Sequence, residues 1–208
     1  MHRRTDEPYG QPAAGSRIEG DEIVRKDFGA KPFLYPMPVL IIASYSEDDI
    51  PDAMNAAWGG ISDDCQISMC LSAGHKTVKN ILARRAFTVS MATAGQTAAA
   101  DYVGIVSGNN VPDKFARAGW HAEKSAHVDA PLIRELPMAL ECRLVSYDEK
   151  TCRMVGEIVN VCAEESVLTD GQIDPSKLQP ITYDPVSHDY LVLGKPVGKA
   201  YSDGNQLK

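Results

Sequence analysis

The sequence lacks several features that mark common classes of protein. No apolar run approaches the roughly 18 residues that a membrane-spanning helix needs, so no membrane span is expected. No Gly-x-Gly-x-x-Gly motif follows a predicted strand, so a Rossmann site for a tightly held dinucleotide is not expected. Basic residues are also outnumbered, since 21 lysines and arginines face 28 aspartates and glutamates. Because nucleic-acid binding needs a basic face, the net charge of −7 argues against a nucleic-acid partner.

Closely paired cysteines are absent as well. The chain has an odd number of cysteines and no Cys-x-x-Cys motif; the five are Cys65, Cys70, Cys142, Cys152 and Cys162. An odd count favours free thiols, and no histidine lies close enough in sequence to complete a metal site. We therefore expect no metal and interpret the cysteines as small, buried apolar residues.

The length of 208 residues is enough for one domain with its own core. Residues 1–27 are predicted to be a disordered tail, because residues 1–20 are polar and contain no apolar signal core. Within this tail, residues 15–20 (GSRIEG) are interpreted as a candidate cloning remnant. The folded domain is predicted to span residues 28–208, and the absence of a signal makes the cytoplasm the expected compartment.

The pattern of apolar residues predicts a series of short strands. Residues 39–45 form an apolar, β-branched run that predicts a strand buried on both faces. Residues 66–72 alternate between polar and apolar, which predicts a strand with one exposed face. Further strands are predicted at residues 54–58, 87–91, 140–147, 154–163 and 190–193, with 140–147 and 154–163 forming the longest hairpin. Residues 164–185 contain Asp-Gly and Asp-Pro turns and are predicted to be irregular.

Few helices accompany these strands. Val78, Ile81 and Leu82 fall at helical spacing and predict an amphipathic helix. Residues 97–106 predict a second helix, and residues 112–118 a short third one. The predicted fold class is therefore mainly β with flanking helices, arranged as an antiparallel barrel rather than a parallel sheet.

Residues 51–61 (PDAMNAAWGGI) have the composition of a site for a flat ring. Small side chains let a planar ligand approach the backbone, and no charge follows Asp52. Asn55 offers both donors and acceptors, and Trp58 can wall an aromatic ring. The alternative is a turn residue beside a core tryptophan.

A candidate phosphate site follows one strand later. His75, Lys76 and Thr77 form a basic, hydroxyl-bearing turn at the start of the amphipathic helix, and Asn80 lies one turn further on. The free amides of a helix amino terminus favour anions, although a plain surface helix would look similar. A flat-ring site joined to a phosphate site by one strand indicates flavin mononucleotide (FMN).

Four runs of the sequence carry a family resemblance: residues 35–42 (YPMPVLII), 54–61 (MNAAWGGI), 75–81 (HKTVKNI) and 101–115 (DYVGIVSGNNVPDKF). Together they resemble the flavoredoxin group of the flavin reductase-like, FMN-binding split-barrel family. The resemblance implies a six- to seven-stranded antiparallel split barrel, a homodimer, and FMN at the barrel edge. The implied cofactor-binding residues are Met54, Asn55, Ala56, Ala57, Trp58, Ser72, His75, Lys76, Thr77, Asn80 and Lys114.

The activity implied by this resemblance is that of an NAD(P)H:flavin oxidoreductase. NADH or NADPH would bind transiently, and electrons would pass through FMN to free flavin, a small acceptor or an acceptor protein. No catalytic side chain is predicted, since the flavin carries the electrons. Two alternatives remain: an FMN-holding electron carrier without NAD(P)H activity, and a barrel that binds no flavin. The cysteines are not expected to take part in electron transfer.

Overall fold

The computed structural model describes residues 23–208. Residues 1–22, which hold most of the predicted tail and all of the candidate cloning remnant, lie outside the described residues. The chain divides into two compact units, one up to Pro32 and the other Phe33–Lys208. Residues 23–32 contain no helix or strand. The second unit contains every element described below.

The second unit consists mainly of antiparallel strands. The strands are β1 (Met37–Pro38), β2 (Leu40–Tyr45), β3 (Pro51–Ala56), β4 (Gly59–Asp63), β5 (Gln66–Cys70), β6 (Ala86–Met91), β7 (Ala122–Lys124), β8 (Pro131–Ile133), β9 (Met138–Asp148), β10 (Arg153–Ala163), β11 (Leu168–Thr169), β12 (Gln172–Ile173), β13 (Ile181–Tyr183) and β14 (Tyr190–Val192). The helices are α1 (Lys76–Arg84), α2 (Thr97–Ile105), α3 (Lys114–Arg117) and α4 (Pro175–Leu178).

Seven strands form one curled antiparallel sheet in the order β3-β2-β6-β9-β10-β5-β4. The long hairpin β9–β10 lies near its middle, and register shifts in that hairpin help the sheet to bend. A smaller sheet, β1-β13-β14, brings the last two strands beside the first one. This arrangement agrees with the predicted fold class and strand number.

The core lies on both sides of β2. Leu40 and Ile42 point into a cluster inside the curled sheet, together with the fully buried Phe87. Ile41 and Ala43 point the other way, into a second cluster that includes residues from α2 and α3. The strand at the centre of this packing is therefore buried on both faces, as its unbroken apolar sequence predicts.

Several elements differ from the sequence-based prediction. The strand β4 was not predicted, because two glycines, a serine and an aspartate leave only one apolar residue to show its alternation. Residues 164–185, predicted to be irregular, contain β11, β12, α4 and β13. The predicted helices and the long hairpin are present with shifts of a few residues at their ends.

The cysteine interpretation holds for one residue and is wrong for two. All five cysteines are free, and Cys142 is fully buried, where burial raises the pKa of its thiol to about 12. Cys65 and Cys70 are exposed, since Cys65 lies in the β4–β5 turn and Cys70 is the last residue of β5. Within residues 23–208 no group of three or more His, Cys, Asp or Glu side chains is placed to hold a metal ion. The same residues contain no helix long and apolar enough to cross a membrane.

Candidate functional site

A cavity of about 340 Å³ lies where β3, α1 and α2 meet the small sheet. This volume is within the range of small-molecule sites. The lining residues are Val39, Met54, Asn55, Ala56, Ala57, Trp58, Cys70, Leu71, His75, Asp101, Gly104, Ile105, Tyr183 and Tyr190. The cavity thus combines small, aromatic and polar side chains from distant parts of the chain.

One wall is the end of β3 and the two-residue link to β4. The Asn55 side chain donates from Nδ2 to the carbonyl oxygen of Ala100, 3.1 Å away, which fixes its amide against α2. A glycine at position 104 makes this contact possible, because a Cβ there would lie 3.0 Å from the Cβ of Asn55. Trp58 is 59% exposed and forms part of the rim. Ala56 and Ala57 separate the two larger side chains of this wall.

The amino terminus of α1 meets the same cavity. His75 is the N-cap residue of this helix, and its side chain makes no capping hydrogen bond. The first amides of a helix have no partners within it, so an uncapped start presents N–H donors to a neighbouring group. Those donors and the His75 ring give this end of the cavity a preference for an anion.

A second wall comes from α2 and the small sheet. Tyr190 of β14 donates its hydroxyl to Oδ1 of Asp101 at 2.8 Å, which ties the last strand to α2. Burial, with a further contribution from Asp101, raises the pKa of Tyr190 to about 12. Tyr190 therefore remains a neutral phenol at physiological pH, and its ring packs against Tyr183 with centroids 6.3 Å apart.

Six of the eleven predicted site residues line this cavity: Met54, Asn55, Ala56, Ala57, Trp58 and His75. Ser72 is exposed in the loop before α1, outside the lining. Lys76 is half-buried and lines a neighbouring cavity of about 300 Å³, together with Asp52 and Gly108. The predicted residues that line the cavity are therefore mainly the contiguous ones, and their contact with a cofactor stays a prediction.

The remaining three predicted residues are buried outside the cavity lining. Thr77 donates its hydroxyl to Oδ2 of Asp52 at 2.5 Å. Lys114 is 3% exposed, and its Nζ lies 3.5 Å from Oδ1 of the same carboxylate. Burial lowers the pKa of Lys114, an effect that Asp52 partly opposes. Asn80 is also buried, and its Nδ2 has no hydrogen-bond partner among the described residues.

Residues 33–183 match the family model of the flavin reductase-like domain. The chain belongs to the flavin reductase-like family. This match covers well over half of the chain and includes both the wall at residues 54–58 and the start of α1.

Solved structures support the same assignment. This flavin reductase-like protein is similar to the flavoredoxin of Desulfovibrio vulgaris (Miyazaki F), with 38% identity, a TM-score of 0.83, and coverage of 87% of this chain and 100% of that one. It is also similar to the flavoredoxin of Methanosarcina acetivorans, with 25% identity, a TM-score of 0.78, and coverage of 90% and 100%. An FMN-binding domain of a flavin reductase-like enzyme from Shewanella baltica OS155 shares the fold at 19% identity, with a TM-score of 0.70 and coverage of 78% and 88%. The predicted family and split-barrel fold are confirmed.

Sequence reasoning did not assign several lining residues of this flavin reductase-like protein. Asp101 and Gly104 fall within a run that carries the resemblance, yet neither was singled out. Tyr183 lies in a segment predicted to be irregular, so nothing in its local pattern indicated a wall. Tyr190 begins the last predicted strand, and the structure places it in the cavity lining.

Proposed function

We propose that this protein binds FMN in the cavity and acts as a flavin reductase that passes electrons from NADH or NADPH to an acceptor. The observation that carries the proposal is the continuity of the cavity, from the wall at residues 54–58 to the uncapped start of α1. A flavin ring and its phosphate need these two environments side by side.

The donor set fits FMN on the chemistry of its residues. Asn55 keeps hydrogen-bonding capacity beyond its bond to Ala100, because an amide has two donor hydrogens and an accepting oxygen. The amides and Lys76 at the start of α1 match a phosphate. When bound, FMN would supply the hydride and electron chemistry. The chain would hold the cofactor between its walls, and a nicotinamide donor would bind only transiently.

An absorption spectrum under argon tests this function. We expect purified protein supplied with FMN to retain it and to lose its flavin absorption when NADH or NADPH is added. Retention of FMN without bleaching by either donor would indicate the electron carrier instead. Protein that retains no flavin at all would contradict the cofactor as well as the activity.

Lys76→Ala should weaken FMN binding at least about tenfold, because a charge-assisted hydrogen bond contributes roughly 1.5–3 kcal/mol. Riboflavin lacks the phosphate, so its affinity should change much less. Titration of apoprotein with both ligands measures the difference, with Lys124→Ala, an exposed lysine on β7, as the matched control. An equal loss of affinity for both ligands would mean that the phosphate does not bind at the start of α1.

Trp58→Phe should abolish most of the tryptophan quenching that accompanies FMN binding. The chain has two tryptophans, and Trp120 is 3% exposed with its indole N–H donated to Gln96. Only Trp58 lines the cavity, so it should lie close enough to the flavin for efficient quenching. Emission spectra of wild-type and variant apoprotein during titration test this. An unchanged amplitude in the variant would place the ring elsewhere.

We also propose that the protein forms a homodimer, as the resemblance implies. An apolar groove of about 650 Å³ on the seven-stranded sheet is lined by Leu40, Met91 and Ile158 among others. Ile61 and Val161 in this groove are 66% and 47% exposed. Exposed apolar patches of this kind mark association sites. Sedimentation equilibrium measures the mass, and a monomer at micromolar concentration would contradict the dimer.

A further inference from the structure

Three of the segments that line the candidate FMN site are linked through one buried carboxylate. These segments are β3, the start of α1 at His75 and the last turn of α2. Asp52 stands near the start of β3, is 4% exposed and does not line the FMN cavity. Its two oxygens are directed to different partners, so it links elements that the sequence separates widely.

The first oxygen holds α1. Oδ2 of Asp52 accepts the hydroxyl of Thr77 at 2.5 Å, and Thr77 is only 1% exposed. The hydroxyl is therefore directed to β3 rather than to the cavity. Gly108 packs against the same carboxylate, since a Cβ at this position would lie 2.4 Å from Oδ1. This short hydrogen bond therefore ties the start of α1 to β3.

The second oxygen faces Lys114. The ammonium lies 3.5 Å from Oδ1 and donates to the carbonyl oxygens of Val103 and Val106, at 3.2 Å and 3.1 Å. Those carbonyls belong to the end of α2, where a helix leaves its acceptors unsatisfied and favours a cation. Lys114 therefore connects β3 to the helix that carries the Gly104 side of the cavity.

We infer that Asp52 is the positioning residue of the FMN site. Through Thr77 it holds the start of α1, where the phosphate would bind, and through Lys114 it holds the end of α2, which would lie beside the flavin ring. The inference rests on the proposed function. It gives Thr77 and Lys114 roles different from direct contact with the cofactor. Because Thr77 and Lys114 connect Asp52 to different parts of the site, their substitutions should affect the binding of different parts of the ligand.

The experiment removes Thr77 or Lys114 as a partner of Asp52, one at a time, and compares the affinities for FMN and riboflavin. Thr77→Val keeps the size and the backbone amide, and it should weaken FMN about tenfold while changing riboflavin less than about twofold. Lys114→Met should weaken both ligands by a similar factor, because it loosens the ring wall. Thr97→Val and Lys177→Met are the same substitutions outside the site, where Thr97 donates to the carbonyl oxygen of Ala94 and the exposed Lys177 donates to that of Leu168, and they control for the change of residue type alone.

A thermodynamic cycle separates positioning from direct contact. Thr77→Val is also measured in an Asp52→Ala/Lys114→Met background, which has neither buried charge. If Thr77 acts through Asp52, its substitution should change FMN affinity less than twofold in that background. The same tenfold loss in both backgrounds would mean that the hydroxyl binds phosphate itself and would overturn the inference. Wild-type protein that binds no flavin would instead contradict the proposed function. Equal losses of affinity for both ligands with Thr77→Val would mean that Thr77 has only a structural role, which would contradict the inference.

Discussion

Asp52→Ala is expected to destabilise the protein by about 3–5 kcal/mol, the cost typical of breaking a buried ion pair from one side. The substitution leaves the ammonium of Lys114, 3% exposed, without its carboxylate and removes the acceptor of the Thr77 hydroxyl. Urea denaturation followed by circular dichroism measures the free energy of unfolding. Asp64→Ala, in the exposed β4–β5 turn, should change it by no more than about 0.5 kcal/mol.

The double variant Asp52→Ala/Lys114→Met should recover much of this loss. A buried pair replaced on both sides by apolar residues leaves no uncompensated charge, and such replacements are often close to neutral. A double variant as unstable as Asp52→Ala alone would show that the packing around Gly108, rather than the charge, accounts for the destabilisation.

Phe87→Ala should cost about 3–5 kcal/mol, because it empties the largest fully buried side-chain position of the core. The ring reaches from β6 to β10, where Gly156 leaves room for it. A Cβ on Gly156 would lie 2.3 Å from Cζ of Phe87. Gly156→Ala alone should therefore be destabilising by about 1–3 kcal/mol, as for other overpacked cores.

The two substitutions should not add. With the ring removed, the methyl group of Gly156→Ala no longer meets Cζ, so in the Phe87→Ala background its cost should fall well below its cost alone. Denaturant midpoints of the four proteins give the coupling free energy. Strict additivity would mean that the β10 backbone, not the phenyl ring, limits the space at position 156.

Regular, contiguous patterns in the sequence were sufficient for much of the fold. β2 and the long hairpin β9–β10 follow from their apolar patterns, and α1 follows from its helical spacing. The edge strand β4 escaped prediction because an exposed strand with glycine and aspartate lacks the apolar alternation of a core strand. The strand β13 escaped because its three residues lie among turn motifs.

Prediction of the site was limited in a similar way, because only residues close together in sequence formed a recognisable pattern. Residues 54–58 and His75 were predicted because one short segment supplies each part of the wall. Lys114 and Asn80 were predicted from residue type and resemblance, yet both side chains are buried outside the lining. Residue type indicates what chemistry a side chain can offer, but its direction depends on tertiary packing. Tyr183 joins the cavity only because β13 pairs with β1, a contact between residues far apart in sequence.

The seven-stranded sheet begins and ends with two strands that are neighbours in the chain. β3 ends at Ala56 and β4 begins at Gly59, so only Ala57 and Trp58 join the two edges of the sheet. Three residue steps of extended chain reach at most about 11 Å, which sets an upper limit on how far these two strand ends can separate. Both linking residues also line the cavity, so a molecule bound there would contact this two-residue tether, which limits the distance between the two strand ends. The length of this tether is consequently the parameter by which the cavity could be widened or narrowed without any change to the hydrophobic core.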